Sequence, residues 1–340
     1  MNHIAIDLHD AYSQICVMSP DRTIVMEAKI PTSAVALREF FRGRDRSRVI
    51  YEAGPHSLWV GELLSELGHE AVPVHARRLR LIAESRNKND RMDAETMARL
   101  SLADLDLIRP VKQRSRETLD ERSITTTRAA LVESQKRLRV TVRGLVKPFG
   151  VRLSSGKRTA LSEAAQANLP PGVRTSIDAM LTVLNTLALE IRALTQAIEQ
   201  MSERPHTQRM MTIPGVGPIV SVVFSHTLED PRRFPPDDIG AFVGLTPSNR
   251  SSAGKTLSPK DRGRPGDPYV RSLLVQAAWT LMNSRSDSEL AQWGRKKVDE
   301  IGPKKGAVAV ARKLAVLMHH LWLHDEDFLA HPSRRSSRAA

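Results

Sequence analysis

The stretch HIAIDLH, residues 3–9, decides how the rest of the chain is read. Ile4, Ile6 and Leu8 fall on one side of a two-residue period and Asp7 on the other, the pattern of a β-strand. Working outward, SQICVMS (13–19) and TIVMEAKI (23–30) are also strand-like, and the turn-forming Pro20-Asp21-Arg22 separates them. Three consecutive antiparallel strands are therefore expected. SAVALREFFRGR (33–44) has helical spacing, RVIYEAG (48–54) reads as a strand, SLWVGELLSELGH (57–69) as a helix and AVPVHA (71–76) as a short strand. A helix-rich stretch begins near Arg77. Strands first and helix–strand alternation afterwards predict an α/β unit with a mixed sheet.

Further along, the period changes. Ile124, Leu131, Leu138 and Leu145 recur every seven residues. The second seam is sharper: Ile177, Leu184, Ile191 and Ile198 alternate with Met180, Leu187, Leu194 and Met201, the a/d pattern of a coiled coil. Between them, KPFGVRLSSGKRTALSEAAQANLPPG (147–172) has the Pro and Gly breaks of a tip or connection. Residues 205 to about 325 read as a mainly helical unit with Gly/Pro loops, and HPSRRSSRAA (331–340) as a polar, basic, disordered tail. The expected division is an α/β domain at 1–110, a helical coiled-coil arm at 111–204, a helical domain at 205–328 and a basic tail at 329–340.

The chain has 340 residues, enough for two or three domains with real cores. Hydrophobic residues make up 41% and aromatics only 4%, so those cores are aliphatic. A formal net charge of +13 favours a polyanionic partner, because neutralising phosphates releases condensed counterions. The single cysteine, Cys16, excludes an internal disulfide framework and a cysteine-rich zinc site. Without a secretion-like start or an apolar run of the ~20 residues a membrane span needs, a cytoplasmic protein with no membrane association is expected.

Four carboxylates stand out. Asp7 is placed within a strand, where a covered carboxylate needs a partner or a task. Glu52 ends the strand RVIYE, and Asp90 and Asp93 in NKNDRMDAE share one helix face. If the first and fourth strands are neighbours, Asp7 and Glu52 lie side by side, and a helix crossing the sheet brings Asp90 and Asp93 over them. Four hard oxygen ligands suit Mg²⁺ or Mn²⁺, and two such ions assist phosphodiester chemistry. Taken singly, each acid has an ordinary explanation: Asp7 as a capped or hydrogen-bonded carboxylate, Asp90 as a helix cap, Asp93 near a helix dipole, Glu52 at a surface strand end.

In the last unit, IPGVGPIVS (213–221) has the Gly-x-Gly turn of a helix-hairpin-helix element. There Gly215 and Gly217 would let phosphates approach the backbone, although a plain helix–helix turn fits as well. NRSSAGKTLS (249–258) ends like a phosphate-binding loop, but Asn249 occupies the position where that loop needs Gly. Ser252 precedes two small residues, and Lys255, Lys260, Arg262, Arg264 and Arg271 follow it. An accessible hydroxyl amid cations suits attack on phosphorus; a flexible serine-rich loop is the alternative.

Together AIDLH, YEAG, KNDRMDA, IPGVGPIVS, FVGLTPSNRSSAGK and RGRPGDPYVRSLLVQAAW resemble, in order and over nearly the whole chain, the DEDD-type transposases of insertion-sequence family one-ten. The resemblance implies a RuvC/RNase H-like domain with Asp7, Glu52, Asp90 and Asp93 as its metal-binding tetrad. It also implies a coiled-coil arm and a transposase domain whose nucleophile is Ser252. It further implies a structured bridge RNA pairing with donor and target DNA, and assembly from dimer to tetramer. Ala253 stands where many relatives have Gly, which keeps Ser251 as an alternative nucleophile. The resulting expectation is an RNA-guided DNA transposase acting through a serine–DNA intermediate. A Holliday-junction-type nuclease using water and a non-catalytic nucleic-acid scaffold are the alternatives. An actin-like sugar kinase is disfavoured because DLHDAYSQ contains no glycine.

Overall fold

The structure is a computed structural model that describes residues 2–74, 90–102, 110–151, 169–246, 251–252, 255–256 and 266–331. It divides into two compact units, 1–116 and 117–340.

The first unit is built on a five-stranded sheet in the order β3-β2-β1-β4-β5. Its strands are β1 (His3–Leu8), β2 (Tyr12–Met18), β3 (Ile24–Pro31), β4 (Arg48–Glu52) and β5 (Glu70–Val74). β1 pairs antiparallel with β2 and β2 with β3, whereas β1–β4 and β4–β5 are parallel, so the sheet is mixed as expected. The turn after β2 brings Arg22 to a φ of 69° and closes with the Ser19 amide donating to the Thr23 carbonyl. Helix α1 (Ala34–Phe41) is capped by Ser33, whose hydroxyl accepts from the Ala36 amide at 3.2 Å.

Alternation sorts the strand residues onto two buried faces. Ile4, Ile6, Val49 and Tyr51 pack with Leu37 and Phe41 of α1 and with Val60, Leu63 and Leu64 of α2 (Ser57–Glu66). Ala5, Cys16, Met18, Ile50 and Val74 point the other way, against Ala94, Met97 and Ala98 of α3 (Asp90–Ser101). The small residues on this second face let α3 lie close to the sheet. The stretch expected to begin near Arg77 lies, up to residue 89, outside the described residues.

The second unit contains two 31-residue helices, α4 (Arg116–Val146, whose first residue closes the first unit) and α5 (Pro171–Met201). They run antiparallel: Val142 and Val146 pack with Ile177 and Leu184 at one end, and Arg204, just past α5, is ion-paired to Glu121 at the other. Burial follows the expected seam on α5, where Ile177, Leu184 and Ile198 are covered. On α4 the seven-residue seam is only partly covered: Ile124, Leu131 and Leu138 are half-buried, Leu138 against the core shared with α5, and Leu145 is exposed. The fully covered positions are Thr118, Glu121, Thr125, Val142 and Val146. A strict heptad drifts about 20° per repeat on a straight helix. The polar positions are buried because each has a partner. Thr125 Oγ1 is 3.0 Å from His226 Nε2, and Thr118 donates to Glu229 at 3.1 Å.

Around a second core lie α6 (Pro205–Met211), α7 (Pro218–Leu228), α8 (Pro236–Phe242), α9 (Pro268–Asn283), α10 (Glu289–Ile301) and α11 (Pro303–His324). Two short strands, β6 (Ser251–Ser252) and β7 (Lys255–Thr256), pair antiparallel between α8 and α9. Among the described residues no helix is long and apolar enough to cross a membrane. The expected tail lies outside the described residues from 332 onward.

The chain between α8 and α9 leaves and returns at one point. Gly244 (φ 73°) ends α8, and Gly266 (φ 87°) precedes α9. A Cβ on Gly266 would lie 2.6 Å from the Gly244 nitrogen and 2.7 Å from the Phe242 oxygen, so backbone touches backbone at this neck. Next to it, Asp267 caps α9 by accepting from the Tyr269 amide at 2.8 Å and pairs with Arg122 of α4 at 2.7 Å.

Two outcomes follow. Gly266→Ala meets both a left-handed backbone and a backbone overlap, so thermal unfolding should show a loss of about 2 kcal/mol or more. For Asp267, burial acts to raise the pKa, but the Tyr269 amide and the Arg122 guanidinium outweigh it and hold the carboxyl below its ordinary value. A depressed pKa gives stability that is present above the unfolded value near 3.9 and lost as pH falls through the folded one. The melting-temperature gap between wild type and Arg122→Gln should therefore be full at pH 7 and shrink below about pH 4.

Candidate metal and nucleophile sites

Asp7 belongs to the β1 face that carries Ala5, and Glu52 to the β4 face that carries Ile50; both are the α3 side of the sheet. The parallel register ends with Ile6 opposite Tyr51, so Asp7 and Glu52 are the next positions on adjacent strands. Asp7 is 8% exposed. An ionised carboxylate this covered costs on the order of several kcal/mol unless it is paired or coordinated. One partner is His9, whose Nε2 is 3.1 Å from Asp7 Oδ2.

The structure thus brings Asp7 and Glu52 together at the C-terminal ends of two parallel strands. Asp90 opens α3 and Asp93 follows one turn later, on the helix whose Ala94 and Met97 pack against the same sheet face. The side chains of Asp90 and Asp93 lie outside the described residues. Among the described residues no group of three or more His, Cys, Asp or Glu side chains is arranged to hold a metal. The oxygen-only chemistry of the described pair, with one carboxylate buried, fits a hard divalent cation.

His9 had no role assigned from the sequence. Its signal was nevertheless present, because residues 7 and 9 share one face of an extended chain. Its ring also lies 5.0 Å from that of Tyr12, which Lys29 Nζ covers at 3.6 Å. Nearby, His56 Nε2 is 3.0 Å from Asp10, and Trp59 donates to His56 Nδ1 at 3.2 Å.

Ser251 and Ser252 form β6, with Ser251 opposite Thr256 and Ser252 opposite Lys255, and residues 253 and 254 fall between the paired positions. Of these four paired residues the backbone alone is described. Lys260, Arg262 and Arg264 lie outside the described residues. Arg271, in the first turn of α9, places Nη1 3.5 Å from the Gly244 carbonyl, at the neck.

The two glycines of IPGVGPIVS differ. Gly215 (φ 93°) abuts α9: a Cβ there would lie 2.7 Å from the Ala277 oxygen and 3.0 Å from the Leu281 nitrogen. Its smallness is therefore explained by helix packing. A Cβ on Gly217 would meet nothing within 4 Å, and Gly217 is the N-cap of α7, which has no side-chain cap. First-turn amides without a side-chain acceptor suit an anionic ligand.

Two stretches of the chain match known transposase families. Residues 4–149 match the profile of the DEDD transposases of IS110, described as a transposase, and residues 207–293 match that of the transposase IS116/IS110/IS902 family. The Sinorhizobium fredii protein y4pF/y4sB, which carries a transposase name, is 29% identical over 302 residues, covering 85% of this chain and 76% of its own. The transposase for insertion sequence element IS1111A of Coxiella burnetii is 27% identical, covering 71% of this chain and 68% of its own. A Pseudomonas aeruginosa protein named as a family 20 transposase is 26% identical across 94% of this chain and 96% of its own. The mixed sheet with its acidic strand ends is consistent with an RNase H-like DEDD domain. The chain thus carries a DEDD transposase domain of the IS110 type, followed by a stretch of the transposase IS116/IS110/IS902 type, and it is a DNA transposase.

Proposed function

We propose that the protein is a cytoplasmic, RNA-guided recombinase that excises and inserts a mobile element through a serine–DNA intermediate. The observation that carries the reading is the placement of Asp7 and Glu52 side by side on the sheet face against which α3, the helix of Asp90 and Asp93, is laid. In this reading residues 1–110 bind metal, 111–204 form a coiled-coil arm, and 205–328 hold the nucleophile and a helix-hairpin-helix-like element at Gly215–Gly217. Donor and target DNA and a structured bridge RNA are the partners. Two or four copies join one subunit's carboxylates to another's serine.

Asp7, Glu52, Asp90 and Asp93 would hold Mg²⁺ or Mn²⁺, which supplies electrostatic stabilisation of the charge that develops on phosphorus and on the leaving oxygen. His9 fixes the orientation of the Asp7 carboxylate. The Ser252 hydroxyl attacks a DNA phosphate; a serine–phosphorus bond forms, a phosphorus–deoxyribose oxygen bond breaks, and the freed oxygen takes a proton. Attack by a hydroxyl of the partner DNA reverses the step, so no external energy source is required. Lys255, Lys260, Arg262, Arg264 and Arg271 would steady the phosphates. Sequence reading falls to base pairing by the guide rather than to protein side chains.

A strand-transfer assay tests the chemistry. Asp7→Asn should lower strand transfer by about 10²-fold or more, and Ser252→Ala should abolish the protein–DNA adduct while Ser251→Ala keeps it. Cleavage retained in Ser252→Ala would instead favour a water nucleophile, as in junction nucleases. Guidance is tested by sequencing the RNA that copurifies: a discrete structured species encoded beside the gene is expected, and random cellular RNA would refute it.

A further inference from the structure

Helix α11 stands apart electrostatically. Its 22 residues contain Lys304, Lys305, Arg312 and Lys313 and no Asp or Glu. One side of the helix, including Val310, Leu314 and Met318, is buried in the second unit's core, and all four cations are exposed. Among the described residues none of the four takes part in an ion pair, although two helices that pack against α11 carry carboxylates: Asp237 and Asp238 on α8, Asp299 and Glu300 on α10. Glu300 pairs instead with Lys297.

Two of these cations are nevertheless held in place, and by packing. The stem of Arg312 lies against α8, since a Cβ on Gly240 would come within 3.0 Å of Arg312 Cγ and 2.8 Å of Nε. Lys313 Nζ is 4.0 Å from the centre of the Trp293 ring. An ordinary solvated face has mobile cations or carboxylate pairs, as at Lys136–Glu133. Ordered cations without counter-charges form a fixed positive surface that awaits an anion. Lys304 and Lys305 sharpen the point, because they stand in the first helical turn, where the macrodipole disfavours positive charge.

From these features we infer that the exposed face of α11 (Lys304, Lys305, Arg312 and Lys313) docks the sugar-phosphate backbone of duplex DNA. The face lies beyond residues 207–293, the part matched by the second family profile. It is also separate in sequence from the serine-bearing stretch. A duplex fits better than a single strand, because unstacked bases need open aromatic platforms. The aromatic ring beside these cations, Trp293, is already covered by Lys313.

The test is fluorescence anisotropy of a labelled DNA duplex of arbitrary sequence with the full-length protein, across a sodium chloride series. Each phosphate contact contributes about 0.9 to the slope of log affinity against log salt. The variant K304Q/K305Q/R312Q/K313Q should therefore lose about 3–4 from that slope, with unchanged circular dichroism. The charge-keeping variant K304R/K305R/R312K/K313R should retain the wild-type slope. Should the fourfold glutamine variant misfold, K305Q and R312Q made singly should each remove about 0.9. A slope change below about 1 for the fourfold variant, or equal losses in the charge-keeping variant, would overturn the assignment. So would a loss seen with an RNA duplex alone.

Discussion

Strand β1 is the constraint on which the first unit depends. It is central in the sheet and covered on both faces, so every side chain it carries must be apolar, small or paired. Ile4 and Ile6 satisfy this against α1 and α2, and Ala5 satisfies it by letting α3 come close. Asp7 meets it differently. It lies near the strand's end, beside Glu52 and within reach of His9, where a carboxylate can be kept charged by what it binds. The same close approach of α3 that Ala5 and Ala94 permit puts the helix of Asp90 and Asp93 on that face. Packing and chemistry thus share one set of residues.

The second unit is organised by polar contacts as much as by its aliphatic core. The base of α4 is held by Glu121–Arg204, Thr125–His226, Thr118–Glu229 and Arg122–Asp267. The last of these also caps α9, immediately after the neck where Gly244 and Gly266 meet. The neck thus sets Gly244 and Gly266, which flank the stretch containing Ser251 and Ser252, against each other.

Much of this was legible in the amino-acid order, and for identifiable reasons. Alternation in HIAIDLH and the helix–strand succession after it led to the mixed sheet, because a period of two is imposed by the pleat itself. The seam on α5 was legible because apolar side chains carry it. The contact stripe of α4 was not, because Thr118, Glu121 and Thr125 are buried through partners more than 80 residues away in sequence, such as Arg204 and His226. Gly215 could be noticed as a turn residue, but its tight seat against Ala277 and Leu281 belongs to the packing of two helices.

By itself, then, the sequence determined the faces: which side of β1 is apolar, that Asp7 opposes it, and that Asp90 and Asp93 share a helix side. These follow from local backbone geometry, which each residue's neighbours settle. Tertiary structure alone decided the neighbours. The parallel register that sets Glu52 beside Asp7, the meeting of Gly244 with Gly266, and the seating of Arg312 on Gly240 all join residues distant in the chain. Their pairing is chosen by how whole elements fill space together, a choice that no local period records.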